Sequence, residues 1–549
     1  MSRARRNSCS PPTRRRPSAR TRAENETRRR PAKPFGPGHV AVRVFGVESA
    51  IRNLTPSKSP DPMRKLAILL AVALSGLGAG RAIRAAETRP NILLIISDQH
   101  FADVMSGAGY VHVKTPALDS IAATGVRFPN TYCAYPVCMS SRASLMTGRL
   151  PHQLKVADEE AEGVPGAARA KGKKSSPGAA DQARHPGVSL GTLMKAAGYR
   201  TAYYGKWHVG GVSASAENLW HGFDTIVDGR SDAVTATKAG EFLNARRAEP
   251  FFLVVSFLNP HDICEWARMR SGIDNIMRHG PVAIEPPLAD CPPLPANFAI
   301  PADEPEIVGL RRNSQPERAH PTQKWGETEW RQYRWAYGRL IEKMDEQVGR
   351  VVGALKKNGQ HEQTLIVYTS DHGDGHAAHH WNQKMVLYEE AVRVPLIVSW
   401  PGHTAAGRVD HTHLVSMGLD LLPTFCDFAG AKVPAELTGH SVRPFTAPTP
   451  ATRADEARNF VVVSEVDYRS LLPGEPLAHG HLVRTSGFTY IIYSAGKNPE
   501  QLFEIHADPG QRKNLARHPD YQTVLAEHRQ LLRGWVQQTK SPFPLEKIP

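Results

Sequence analysis

The run Asn91-Ile92-Leu93-Leu94-Ile95-Ile96-Ser97 is apolar almost throughout over the length of one strand. An uninterrupted run, in place of alternation, marks a strand covered on both faces, as in a parallel sheet held between helical layers. Pro250 to Phe257 and Thr364 to Ser370 repeat the pattern, and Arg200 to Tyr204 is a shorter strand. Helical segments separate them. Thr115-Pro116 opens one, a hydroxyl N-cap followed by proline at the first helical position. Leu118, Ile121 and Ala122 face inward there, and Gly125 is placed to end it. Leu190 to Ala197 is a second helix, closed by Gly198, and Trp330 to Lys357 a long third. The alternation predicts an α/β fold: a mostly parallel sheet flanked by helices on both faces.

From about Ala431 the text changes to short strands, Phe460 to Val466, His481 to Thr485 and Phe488 to Tyr493, then a helix from about Tyr521 to Gln537. This predicts a main domain over residues 87–430 and a smaller C-terminal α+β domain with an antiparallel sheet over 431–549. Two inserts interrupt the main pattern. Asp158 to Gly187 is rich in Ala, Gly, Lys and Glu and reads as a surface loop; Ile263 to Gln323 is proline-rich and irregular, and suits a substrate entrance.

A net charge of +15 over 549 residues suggests nucleic acid or membrane, but its placement excludes that reading. Residues 1–62 hold 15 Lys/Arg against 4 Asp/Glu, and residues 63–86 add Arg64, Lys65, Arg81 and Arg84 with no acid. Everything from Glu87 onward is therefore neutral overall, and no nucleic-acid partner is expected. Residues 1–62 lack a periodic apolar face and read as a disordered basic leader, or as an over-extended start. At Met63 the pattern becomes Arg64-Lys65, an apolar stretch from Leu66 to Leu77, then small residues, the layout of a signal peptide over 63–86. The apolar stretch is too short to span a bilayer. Export, to the periplasm or beyond, follows, without a stable membrane anchor. Export would also allow Cys264 and Cys291, which flank one irregular segment, to pair.

The chemistry concentrates in a few short motifs. Cys138 opens a helical stretch, Cys138-Met139-Ser140-Ser141-Arg142, with Arg142 one turn later on the same face, continued by Thr147-Gly148. A helix start offers unpaired N–H groups and a positive dipole end to an anion. Asp98 lies just past the first strand and Asp371 just past the strand Thr364 to Ser370. Ligands bind outside the carboxyl ends of strands in such sheets, and two carboxylates gathered there repel unless a cation lies between them. Gly205-Lys206-Trp207-His208 and Asn259-Pro260-His261 follow two other strands, and Lys384 comes 13 residues after Asp371. His376, His379 and His380 have helical spacing but read as loop residues near the mouth of the site.

Together these motifs resemble the sulfatases of the alkaline-phosphatase superfamily. Their signature is Cys-x-Pro-Ser-Arg followed by Ala-x-Leu-x-Thr-Gly; Cys138, Arg142, Thr147 and Gly148 match, while Ser140 stands where proline is usual. Glu500 to Ile505, Asp508-Pro509 and Asn514-Leu515 are similar to the family's C-terminal text, so the likeness extends from Arg89 to about Leu515. The resemblance implies that a formylglycine-generating or other sulfatase-maturing enzyme oxidises Cys138 to formylglycine (3-oxoalanine). It also implies one divalent metal, calcium or alternatively manganese, held by Asp98, Gln99, Cys138, Asp371 and His372. Gln99 replaces the family's usual aspartate, removing one charge but keeping a carbonyl oxygen.

The implied activity is a sulfuric ester hydrolase acting on an organic sulfate, preferentially a sulfated carbohydrate. In the implied mechanism a hydroxyl of the aldehyde hydrate attacks sulfur. Lys206 and Lys384 neutralise the sulfate oxygens and Arg142 holds the diol anion. His261, with Lys384, protonates the leaving oxygen, and His208 deprotonates the remaining hydroxyl so that sulfate departs. Two other readings stay open at this stage: a phosphodiesterase or phosphonate monoester hydrolase of the same superfamily, and an unmatured protein that binds sulfated glycan through an intact Cys138 thiol.

Overall fold

A computed structural model describes residues 89–154, 188–209, 219–314, 321–449, 457–466, 472 and 477–549. The expected basic leader, the signal peptide and the whole Asp158–Gly187 loop lie outside them. The strands in chain order are β1 (Asn91–Asp98), β2 (Gly125–Arg127), β3 (Thr131–Tyr132), β4 (Arg200–Gly205), β5 (Thr225–Asp228), β6 (Phe251–Pro260), β7 (Thr364–Ser370), β8 (Leu396–Ser399), β9 (Arg408–Val409), β10 (Val415–Ser416), β11 (Phe460–Val466), β12 (His479–Thr485), β13 (Phe488–Tyr493) and β14 (Glu500–Glu504).

Eight of them form one sheet in the order β5-β4-β6-β1-β7-β8-β2-β9. The run from β5 to β7 is parallel throughout; β8 lies antiparallel to both β7 and β2. Strand β1 shows why its sequence is apolar without interruption. Ile92, Leu94 and Ile96 join one core cluster, with the helices Cys138–Thr147 and Met417–Ala429. Leu93 and Ile95 join another, with the long helix Glu327–Lys357. Each such side chain contributes about 1.5–3 kcal/mol when fully buried, so neither face of β1 tolerates a polar residue cheaply.

Strands β11-β12-β13-β14 make the expected antiparallel sheet. One face (Val461, Val463, Leu482, Ile491) shares the core of the main sheet, while the other (Val462, Val483, Ile492, Leu502) packs on the helix Gln522–Thr539 through Leu525, Leu532 and Val536.

Four local expectations change. The helix Pro116–Ala122 does begin with proline after Thr115, but the Thr115 hydroxyl does not cap it. It accepts instead from the Ser106 N–H, and the Asp345 carboxylate of the long helix accepts from the N–H groups of Ala117 and Leu118, both at 2.9 Å. Gly125 does not end that helix; it opens β2, where a Cβ would stand 2.4 Å from the Val398 carbonyl oxygen. The Ile263–Gln323 segment contains the helices Ile263–Arg270 and Glu306–Ser314. Cys264 and Cys291 are free thiols. No helix among the described residues is long and apolar enough to cross a membrane.

Candidate active site and metal centre

Four adjacent strands, β4-β6-β1-β7, deliver the site at their carboxyl ends, where open parallel sheets bind ligands. β1 ends on Asp98, β7 hands over to Asp371 and His372, β4 to Lys206 and His208, and β6 to Pro260 and His261. The helix beginning at Cys138 fills the gap above them.

The Cys138 sulfur lies 2.8 Å from Lys384 Nζ, 3.1 Å from His372 Nε2 and 3.6 Å from Asp98 Oδ1. His208 and His261 also act on it electrostatically. Burial alone would push the thiol up, but Lys206, Lys384 and His372 outweigh it and hold Cys138 well below the ordinary thiol range. Lys384 is raised in return: burial works against its charge, and the Cys138 sulfur and Asp98 favour it more strongly. Burial and Cys138 push Asp98 up, yet Lys206, His261 and Arg142 prevail and keep it ionised. Burial and the charge of Lys384 lower His261, against the pull of Asp98.

Arg142 is 1% exposed and sits behind the carboxylates. Its Nε donates to Asp371 at 2.8 Å, one Nη to Asp98 at 3.1 Å, and the other to the Lys206 carbonyl and the Ser256 hydroxyl at 2.9 and 2.8 Å. These contacts hold its guanidinium against the two aspartates. It neutralises the pair from behind, and Lys206 does so from the side through an ion pair with Asp98.

One ligand atom each from Asp98, Cys138, Asp371 and His372 falls within a 4.8 Å cluster, and all four residues are buried. His372 Nδ1 lies 2.8 Å from the Gly373 carbonyl, which only accepts, so in the neutral ring the proton is on Nδ1 and the Nε2 lone pair faces the cluster. Two carboxylate oxygens, one inward imidazole and a fourth polar atom make a donor set that fits a divalent cation.

Gln99 takes a left-handed φ of 73°. Its N–H donates to Asp371 Oδ1 at 3.1 Å, its carbonyl accepts from the Tyr337 hydroxyl at 2.6 Å, and its side-chain Oε1 accepts from Lys384 Nζ at 3.3 Å. The Cys264 sulfur, 3.6 Å from the same carboxamide, is part of this wall.

Asp374 belongs to the site and was not singled out from the sequence. It is fully buried, and its oxygens accept from Gln99 Nε2, the Tyr333 hydroxyl and the N–H groups of His376 and Gln383. Burial raises it to about 6, against those hydrogen bonds. Its position three residues past Asp371 was the available signal. Tyr333 and Tyr337, one turn apart on an apolar helix, are indistinguishable in sequence from ordinary core aromatics.

Among the described residues His376, His379 and His380 join no group of potential metal ligands. His376 and His379 are buried; His379 stacks on Tyr388 at 4.1 Å, His380 lies against Phe298 at 3.9 Å, and His376 meets Tyr337 at 5.1 Å. The backbone explains this: left-handed φ values at His376, Ala377, His379 and His380 break the helical spacing.

A doubly covered sheet with a cysteine, two ammonium groups, imidazoles and paired carboxylates at its strand ends defines an α/β enzyme. Comparison with known proteins specifies which. The family model for Sulfatase matches residues 90–431, and that for N-sulphoglucosamine sulphohydrolase, C-terminal, matches 377–538. The Delta 4,5-hexuronate-2-O-sulfatase of Bacteroides thetaiotaomicron is 32% identical over 492 residues, covering 86% of this chain and 94% of its own. The N-acetylglucosamine-6-O-sulfatase of the same organism is 27% identical over 541 residues, covering 87% and 92%. A solved 2-O GAG sulfatase superposes with a TM-score of 0.67 at 28% identity, over 82% of this chain and 93% of that one. The chain belongs to the sulfatase family of the alkaline-phosphatase superfamily.

Proposed function

We propose that the protein removes sulfate from a sulfated carbohydrate, using Cys138 matured to formylglycine and one divalent cation, calcium by preference. The observation that carries this reading is the meeting of Lys384, His372 and Asp98 on the Cys138 sulfur, from strands and loops far apart in sequence. The carbohydrate is supported by the relatives, whose names specify sulfated hexuronate, glucosamine and glycosaminoglycan. The signal-like text of residues 63–86 supports export.

Asp98, Gln99, Asp371, His372 and residue 138 would hold the cation, which when bound polarises the sulfate oxygens as a Lewis acid. Formylglycine supplies a hydroxyl through its hydrate, and a separate maturing enzyme performs the oxidation. Lys206 and Lys384 bind the sulfate oxygens and stabilise the charge that moves onto them at the transition state. Arg142 holds Asp98 and Asp371 in place. Burial and Lys384 lower the proton affinity of His261; an anionic ester beside it raises that affinity, and as imidazolium it donates to the leaving oxygen. His208 accepts the proton from the remaining hydroxyl.

Mass spectrometry of the peptide carrying Cys138 after expression with a maturing enzyme tests the modification; an intact thiol and no sulfate release would overturn the reading in favour of a glycan-binding protein. On matured protein, sulfated sugars should turn over and Cys138→Ala should be inert with its fold retained. Preferential turnover of phosphate diesters or phosphonate monoesters would reassign the activity.

A further inference from the structure

Gln99 poses a problem that an aspartate in its place would not. A carboxylate offers an oxygen whichever way it turns, whereas a carboxamide offers an oxygen at one end and an NH2 at the other. An NH2 facing a cation would repel it. Something must therefore hold the amide in one of two orientations that are nearly equal in shape.

We propose that Asp374 is the positioning residue that sets this orientation, presenting Gln99 Oε1 to the cation site. This inference rests on the cation-site reading given above. The Asp374 carboxylate lies 2.7 Å from Gln99 Nε2. As a carboxylate it only accepts, so the amide end that meets it must be NH2. Its remaining capacity is taken up by other donors: the Tyr333 hydroxyl at 3.0 and 2.8 Å, the His376 N–H at 2.8 Å and the Gln383 N–H at 3.1 Å. With NH2 held there, Oε1 points to the opposite side, where Lys384 Nζ donates to it at 3.3 Å while also lying 2.8 Å from the Cys138 sulfur. The Cys264 sulfur is 3.6 Å from both ends of the amide and does not discriminate between them.

The backbone of Gln99 is held as firmly as its side chain. The Tyr337 hydroxyl donates to the Gln99 carbonyl at 2.6 Å and accepts from the Phe101 N–H at 2.9 Å. Tyr333 and Tyr337 are one turn apart on the same helix, so one rigid element grips the Gln99 peptide directly and its carboxamide through Asp374. An orienting hydrogen bond of this kind typically changes metal affinity by about 10–100-fold when removed.

Calcium titration of chelator-stripped full-length protein, followed by calorimetry, tests this. Asp374→Asn, whose own amide can accept or donate, should weaken calcium binding by about 10–100-fold while the melting temperature of the metal-free protein changes little. In a Gln99→Ala background the same substitution should cause no further loss. Gln99→Glu sets two carboxylates against each other and should bind poorly, and adding Asp374→Asn should restore affinity. This rescue remains readable if Asp374→Asn alone does not fold. Equal calcium affinity in Asp374→Asn and wild type, an equal loss with and without Gln99, or no rescue would each overturn the proposal. Wild-type protein that binds neither calcium nor manganese would overturn the cation reading itself, a distinct result.

Discussion

Lys384 Nζ lies 2.8 Å from the Cys138 sulfur, although 246 positions separate them in the chain. Burial opposes both charges, yet Lys206 and Lys384 lower Cys138, and Cys138 with Asp98 raises Lys384. In the proposed function this places the ammonium beside the sulfate. Lys384→Ala is expected to lower kcat/KM of matured protein by about 10²–10³-fold, the usual cost of removing one preorganised charge-stabilising donor. Steady-state kinetics on a sulfated sugar checks it, and a loss under threefold would remove Lys384 from the chemistry.

Arg142 bridges two buried aspartates from two sides of one planar group. Lysine has a single ammonium and cannot reach both. Arg142→Lys should therefore cost about 3–5 kcal/mol of folding stability, since it leaves a buried carboxylate without its partner. Chemical denaturation of the metal-free protein measures this. A variant as stable as wild type would show that the carboxylates do not depend on the clamp.

Gly205 has φ 103°, and a Cβ there would meet the Ser256 carbonyl oxygen at 1.9 Å, a backbone atom that cannot swing aside. Because Lys206 is the next residue, relief of the clash displaces the ammonium. Gly205→Ala should lower stability by about 1–3 kcal/mol and depress activity together with it. Melting curves and activity at saturating substrate test both, and an unchanged kcat would contradict the coupling.

Glu390 is raised to about 7 by burial, against a hydrogen bond from Asn297, and its second oxygen has no partner among the described residues. Its folded pKa exceeds its unfolded value of about 4.3. Below that value it is protonated in both states; between about 4.3 and about 7 the unfolded state ionises while the folded state stays protonated, so stability falls across that window and levels off above it. The loss amounts to about 4 kcal/mol at most. Glu390→Gln keeps the Asn297 contact and removes the titration. Its stability relative to wild type should therefore rise between pH 5 and pH 8, as read from paired denaturation curves, and parallel curves would refute the assignment.

The strands around the site were legible in the chain because each is covered on both faces and so reads as an unbroken apolar run. The same holds for the C-terminal strand Phe488–Tyr493, whose two faces pack on separate cores. Thr115 and Gly125 misled for a shared reason: capping and chain reversal there are settled by groups remote in sequence, Asp345 and Val398. The histidines at 376, 379 and 380 have helical spacing, but their backbone is not helical, so that spacing brings no shared face.

What the chain determined by itself is the chemistry available at each strand end: a cysteine opening a helix, aspartates after β1 and β7, and Lys-Trp-His and Pro-His segments after β4 and β6. Residue type and distance from a strand end are local properties, and one dimension records them. Tertiary structure alone decided that Arg142 faces the aspartates, that Asp374 holds Gln99, and that two tyrosines of one helix support both. Those pairings depend on the order of strands in the sheet and the angle of a helix across it, and side-chain direction follows from packing that no single segment encodes.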